Sequence, residues 1–334
     1  MKTLVKALVL ILGLVSILLV YNWLRDNKIP NFYGSAELYV TEDMGPDDVV
    51  SALEEQLKVL SPSRLKKVFR EKDVASFMKP GHYRVSGSST SVYVARMLNN
   101  GWQTPVSLTL AGSLRTRPEI ARKISRQLRI DSLSVIRSLY DSAFLAPYGV
   151  TPDNVFSAFF PATYELYWTA SLKDVLDRCL KASDAFWNDD RLAAAARIGL
   201  SRRQVVTLAS IVKGESNYKP ELKKIAGVYL NRLDRGMLLQ ADPTVAYCYD
   251  YELKRILFRH LEFDSPYNTY KYTGLPPGPI NVPDDYYMDA VLDADRGGGN
   301  IYFCASSKLD GTHVFAKTIE AHSRNARAFQ KALK

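Results

Sequence analysis

The residue best placed to do chemistry is Glu215, near the end of the stretch Ser201 to Pro220, SRRQVVTLASIVKGESNYKP. Val205, Leu208, Ile211 and Val212 recur at helical spacing, and stepping on from Leu208 and Ile211 by seven and by four lands on Glu215. A carboxyl group at the end of a buried stripe loses hydration, which raises its pKa toward the range a general acid needs near neutral pH. The alternative is a glutamate at a frayed helix end, turned to solvent. Ser201 and Gln204 have the spacing of a capping box, Gly214 loosens the far end of the helix, and Pro220 forbids its continuation.

Two later loops are dense in polar groups that could meet a ligand. The first holds Gln240, Asp242, Pro243, Thr244 and Tyr247; the second is Ser265 to Ile280, SPYNTYKYTGLPPGPI, with Asn268 and Tyr270. In the second, Pro276 and Pro277 between Gly274 and Gly278 fix a backbone that is neither helix nor strand, which suits either a rigid cleft wall or an ordinary connection. His313 and His322 stand on a final hairpin and helix from which both could reach one cleft, a structural role being the alternative. The four histidines are not spaced as a metal site, and no metal or cofactor is expected. Cys179, Cys248 and Cys304 lie far apart, so a disulfide framework is excluded, leaving one bridge or three thiols. No G-x-G-x-x-G, G-x-x-x-x-G-K, H-E-x-x-H or G-x-S-x-G motif occurs.

The elements that must position these groups follow from pattern. Residues 31–110 predict a separate small module: a strand at Ala36 to Val40, helices at Asp47 to Leu60 and Pro62 to Arg70, then a strand, helix, strand unit at Gly81 to Val85, Ser91 to Leu98 and Val106 to Leu110. Residues 111–334 are mainly helical, with helices at Arg117 to Leu128, Asp131 to Tyr140, Ser171 to Trp187, Arg191 to Ile198 and Glu221 to Arg235. An aromatic-rich loop, Phe156 to Trp168, interrupts them; its Pro161, Thr163 and Tyr164 make a rigid turn that could wall a cleft. The chain closes with a hairpin, Ile301 to Ala305 and His313 to Ala316 about Asp310-Gly311, and a helix from Thr318.

Residues 1–6 carry two lysines, and residues 7–24 then run without a charge for about 27 Å of helix, enough for a membrane core. No small-x-small site closely follows, which favours an uncleaved anchor over a signal peptide and leaves the remaining domains outside the cytoplasm. The net charge of 44 − 35 = +9 is scattered, so it points to an anionic polymer or membrane surface and gives no specific indication of nucleic acid. The 20 tyrosines suit sugar surfaces, or simply a core. One well-placed carboxyl, tyrosine-rich loops and an outward-facing anchored domain together suit a polysaccharide near the membrane.

The runs TLASIVKGES, YLNRLDRGMLLQADPTVAY and SPYNTYKYTGLPPGPI, with HVF near the end, resemble in order and spacing the MltG (YceG-like) family of endolytic murein transglycosylases. The resemblance extends upstream through FFPATYELY to about Gly112, and Lys79 to Leu110 resembles the family's LysM-like subdomain. It implies an α+β protein: an N-terminal transmembrane helix, a small α/β LysM-like module, and a mainly helical catalytic domain with a small antiparallel sheet. The implied setting is the inner membrane, with peptidoglycan glycan strands as substrate and cell-wall synthases as neighbours. The family's helix usually reads A-S-I-V-E-x-E; here Lys213 replaces the first acid, about 200° round the helix from Glu215 and so expected on the polar side. By analogy Glu215 is the acid. It protonates the glycosidic oxygen after N-acetylmuramic acid, then takes the proton of that sugar's 6-hydroxyl as a 1,6-anhydro ring closes without water. Gln240, Asp242, Thr244, Asn268, Tyr270, Pro276, Pro277 and His313 are the expected substrate-binding residues. A water-using muramidase with Asp242 as second carboxylate, and a catalytically silent glycan-binding scaffold, are the alternatives.

Overall fold

The computed structural model describes residues 2–333; Met1 and Lys334, the outer ends of the expected N-terminal segment and C-terminal domain, lie outside the described residues. It is a mixed α+β protein, mostly helical, with four two-stranded sheets among the described residues. The chain divides into two compact units, one of residues 1–107 with 127–129 and 165–170, the other of residues 108–126, 130–164 and 171–334.

The first unit begins with the helix Lys2–Asn27, in which Leu4–Asn27 is long and apolar enough to cross a membrane. The foot of this helix is fixed to the module behind it. Arg64 donates from Nη2 to the Pro30 carbonyl at 2.9 Å, and Lys67 meets the buried Asp26 at 3.3 Å. In Ser35–Val40 the alternation places Ala36, Leu38 and Val40 in the core. This strand pairs antiparallel with Gly81–Ser86, from Ser35 opposite Ser86 to Val40 opposite Gly81. The helices Pro46–Gln56, Pro62–Glu71 and Ser91–Asn100 cover the pair with Val49, Leu53, Leu65, Val68, Phe69, Val94 and Leu98.

Gly81–Ser86 pairs with the earlier strand and not with Val106–Thr109, because an antiparallel partner with the same buried alternation lies upstream. Val106–Thr109 pairs instead with Thr163–Leu166, a strand inside the segment read as an aromatic loop. The alternation there is real, with Tyr164 and Leu166 buried and Thr163 and Glu165 exposed. It spans four residues beginning two positions after Pro161, too short to stand out. With Tyr164 buried in a strand, the expected cleft-wall turn is absent from this place.

The second unit is built about the helix Arg202–Glu215. Ser201 caps it as expected, accepting from Gln204 N–H while Gln204 Oε1 accepts from Ser201 N–H at 2.9 Å. Its buried side chains Val205, Leu208, Ala209, Ile211 and Val212 pack against Ile225, Ala226 and Tyr229 of Leu222–Asp234 and Tyr287, Met288 and Val291 of Asp285–Leu292. The hairpin Tyr302–Ala305 with His313–Ala316 runs from Tyr302 opposite Ala316 to Ala305 opposite His313, and the closing helix Ile319–Ala332 packs on it. Gly214 has a more specific task than loosening the helix. A Cβ there would collide with the ring of Pro243, so glycine lets the short helix Asp242–Cys248 abut the end of Arg202–Glu215. The helix ends at Glu215, with Ser216 already extended, five residues before Pro220. All three cysteines are free thiols.

Candidate active site

Glu215 is the last residue of its helix and opens into three adjoining cavities of about 380, 540 and 240 Å³. Its side chain is only partly covered toward the cleft, while the carboxyl group itself is surrounded by protein. Burial therefore pushes its pKa up from 4.5 to about 7, and the negative charge of Asp242 pushes the same way. A hydrogen bond donated by the Tyr229 hydroxyl to Glu215 Oε1 at 2.6 Å, and the charge of Arg232, oppose the rise without cancelling it. The outcome is a carboxyl group that is largely protonated below neutral pH and can exchange its proton at it. Burial first, and then the adjacent Glu215 carboxyl, hold the Tyr229 hydroxyl protonated well above the usual range.

Removing the Tyr229 hydroxyl takes away a contact that favours the ionised form. Tyr229→Phe is therefore expected to move the alkaline limb of kcat/KM to higher pH, while the fold survives because the ring stays in the core. A pH–rate profile unchanged between the two proteins would show that this hydrogen bond does not govern Glu215.

Asp242 opens the neighbouring short helix, and its Oδ1 accepts a hydrogen bond from the Tyr270 hydroxyl at 2.6 Å. Gln240, just before it, adopts a left-handed backbone, φ +50°, that costs energy for a side-chain-bearing residue. Its N–H is held by the Thr269 carbonyl at 3.0 Å and its Oε1 accepts from Arg232 at 3.3 Å. Glu215, Gln240, Asp242, Tyr270, His313 and His322 all line the 380 Å³ cavity, so six of the residues picked from the sequence converge. His313 is anchored there by Glu221, whose carboxylate meets its Nδ1 at 2.9 Å and its backbone N–H at 3.1 Å.

The remaining four do not converge. Asn268 is sealed from solvent, donating to the Leu261 and Phe263 carbonyls at 2.8 Å and accepting from Tyr270 N–H, so it staples its own loop. Thr244 is also buried, bonded to the Ala241 carbonyl and to Thr269 Oγ1. Pro276 and Pro277 line none of the three cavities. The rigidity of that loop serves the fold, since Gly278 presses against Asn154 and Tyr267.

Sequence reasoning missed Tyr229, Arg232, Tyr302, Phe303 and Cys304, all of which line the same cavity. Tyr229 falls at helical spacing with Leu222, Ile225 and Leu233, as one member of an apolar stripe. A polar-tipped residue three positions before an arginine on one helix face was the available signal. A separate cavity of about 490 Å³, beside Asp189–Arg197 and Asp285–Leu292, holds charges already paired, Arg191 with Asp289 and Lys223 with Asp293. It has no acid comparable to Glu215.

The family model of the YceG-like family matches residues 38–328. The chain belongs to the YceG-like family. A relative named endolytic murein transglycosylase, from Bacillus subtilis strain 168, is 31% identical over 269 residues, which are 75% of this chain and 72% of the relative. A second of that name, from Streptococcus pneumoniae strain D39, is 30% identical over 171 residues, 50% of this chain and only 30% of the longer relative. The crystal structure of a yceG-like protein from Listeria monocytogenes is similar with a TM-score of 0.58 and 26% identity, covering 87% of this chain and 99% of that one. In this YceG-like chain Lys213 is not on a solvated face, as the helical wheel implied. Its side chain is 10% exposed, and Nζ donates to the Gly112 carbonyl, the Val282 carbonyl and Asp284 Oδ2 at 2.8, 2.9 and 2.8 Å. The far side of the helix end is buried under Gly112 and the Val282 to Asp284 segment, and all three ammonium donors are used there.

Proposed function

We propose that this protein is an endolytic murein transglycosylase that cuts peptidoglycan strands after N-acetylmuramic acid with Glu215 as its single acid and base. The observation that carries this reading is the protonatable carboxyl of Glu215 at the centre of three adjoining cavities, with pKa about 7. Protonated Glu215 gives its proton to the glycosidic oxygen as the bond to the anomeric carbon breaks. The carboxylate left behind then takes the proton of the same sugar's 6-hydroxyl as that oxygen closes on the anomeric carbon. One group suffices because the attacking hydroxyl belongs to the substrate, and holding it in place does the work that a second carboxylate and a water do in ordinary glycosidases. Gln240, Asp242, Tyr270 and His313 orient the sugar.

Digestion of isolated murein by the purified full-length protein tests this. Shorter strands with anhydro ends are expected, and Asp242→Asn should slow their release without changing their chemistry. Reducing ends would make Asp242 the second carboxylate of a muramidase, and binding without any cut would leave a silent scaffold.

The apolar helix supports an uncleaved single-pass anchor in the inner membrane, with the 31–110 module, its LysM-like subdomain included, and the 111–334 domain on the outer side near cell-wall synthases. The mature protein is then expected to keep residues 1–24 and to stay with membranes washed in high salt. A mature N-terminus beyond Leu24 would contradict it.

A further inference from the structure

Arg232 is 7% exposed, and its charge is spent in an unusual way. Arg191 and Arg296 are paired with Asp289 and Asp234, whereas Arg232 has no carboxylate at ion-pair distance among the described residues. Its Nε donates to the Ile301 carbonyl at 2.7 Å, and its Nη1 to the Leu239 and Leu238 carbonyls at 2.7 and 3.1 Å and to Gln240 Oε1 at 3.3 Å. These acceptors come from the start of the hairpin and from the strained turn before Asp242, so they fix the guanidinium plane on two sides. Tyr302 lies against its face at 5.2 Å. The two N–H groups of Nη2 have no partner among the described residues. Nη2 is also not one of the solvent-sealed polar atoms, and Arg232 lines the cavity that holds Glu215. A buried cation satisfied only by neutral carbonyls is costly to keep, and one left with two aimed donors is equipped to receive an acceptor on a ligand.

We propose that Arg232 reads the lactyl carbonyl of the muramyl sugar, and thereby sets which of the two alternating sugars of the strand lies against Glu215. This rests on the murein reading. The two sugars share the acetamido group and differ only in the lactyl ether on O3, so discrimination needs a group complementary to that ether's carbonyl. The carbonyl accepts hydrogen bonds both as a peptide-bearing amide and as a free carboxylate. Arginine offers donors only, in a planar fork suited to such an oxygen.

The test is calorimetric titration of the full-length Glu215→Gln protein with three tetrasaccharides: a murein tetrasaccharide with free lactyl carboxylates, the same with those carboxyls reduced to alcohols, and a tetramer of N-acetylglucosamine. Affinity is expected to fall about tenfold or more from the first to the other two. Arg232→Gln in the same background should bring all three within about twofold, with Arg232→Lys intermediate. The comparison of ligands on the protein that keeps Arg232 needs no folding control. Equal affinity for the three ligands, no binding of any, or discrimination that survives Arg232→Gln would overturn the proposal. Lactyl preference without cleavage by the Glu215 protein would instead overturn the transglycosylase reading and leave the recognition standing.

Discussion

Glu215→Gln is expected to abolish release of anhydro fragments, a loss of at least about a hundredfold and up to about ten-thousandfold, because the amide can neither donate nor recover the proton. The same change should stabilise the fold. Between pH 4.5 and 7 the native carboxyl holds a proton that the unfolded chain has released, so stability falls as pH rises through that window and stays lowered above it. A shift of this size corresponds to at most about 3 kcal/mol above pH 7, and the partial opening of the side chain to the cleft reduces it. Glutamine keeps an oxygen to accept from Tyr229 and carries no charge to desolvate. Its melting temperature should therefore exceed that of the parent at pH 8, with the gap closing toward pH 4. A variant that melts lower at every pH, or that cuts at the parent rate, would contradict the assignment.

The second large effect is expected at Lys213, and on stability. Lys213→Ala leaves Asp284 without its partner and the Gly112 and Val282 carbonyls without their ammonium donor, behind a side chain that was 10% exposed. Breaking a buried pair from one side costs about 3–5 kcal/mol, a fall in melting temperature on the order of 10 °C for the second unit. Lys213→Glu should be worse, since it sets a carboxylate against the Asp284 carboxylate and two carbonyl oxygens. Lys213→Met should be the mildest of the three. If Lys213→Glu melted with the parent protein, the side chain would not be the tether described here. Lys213 in this chain is thus a structural partner of Asp284.

Much of this was legible in the sequence where local physics decides. The capped helix, its apolar stripe and the position of Glu215 on it depend on spacing within fifteen residues, and the structure has them as read. What failed depended on what lies opposite. The wheel placed Lys213 on the side away from Glu215, correctly, but could not see that Gly112 and Asp284 bury that side. Asn268 and Thr244 have the residue types of a sugar site and spend them on their own loop backbone. The strand Thr163–Leu166 depends on a partner more than fifty residues upstream. Arg232 was invisible as a site residue because nothing in its own helix says that its acceptors come from Leu238, Leu239 and Ile301.

Digestion of murein in water enriched in heavy oxygen, with the products weighed, tests cleavage by one carboxyl without water. Fragments lighter by one water than the hydrolytic products are expected, with no heavy oxygen at the new ends. Reducing ends that carry the label would contradict it.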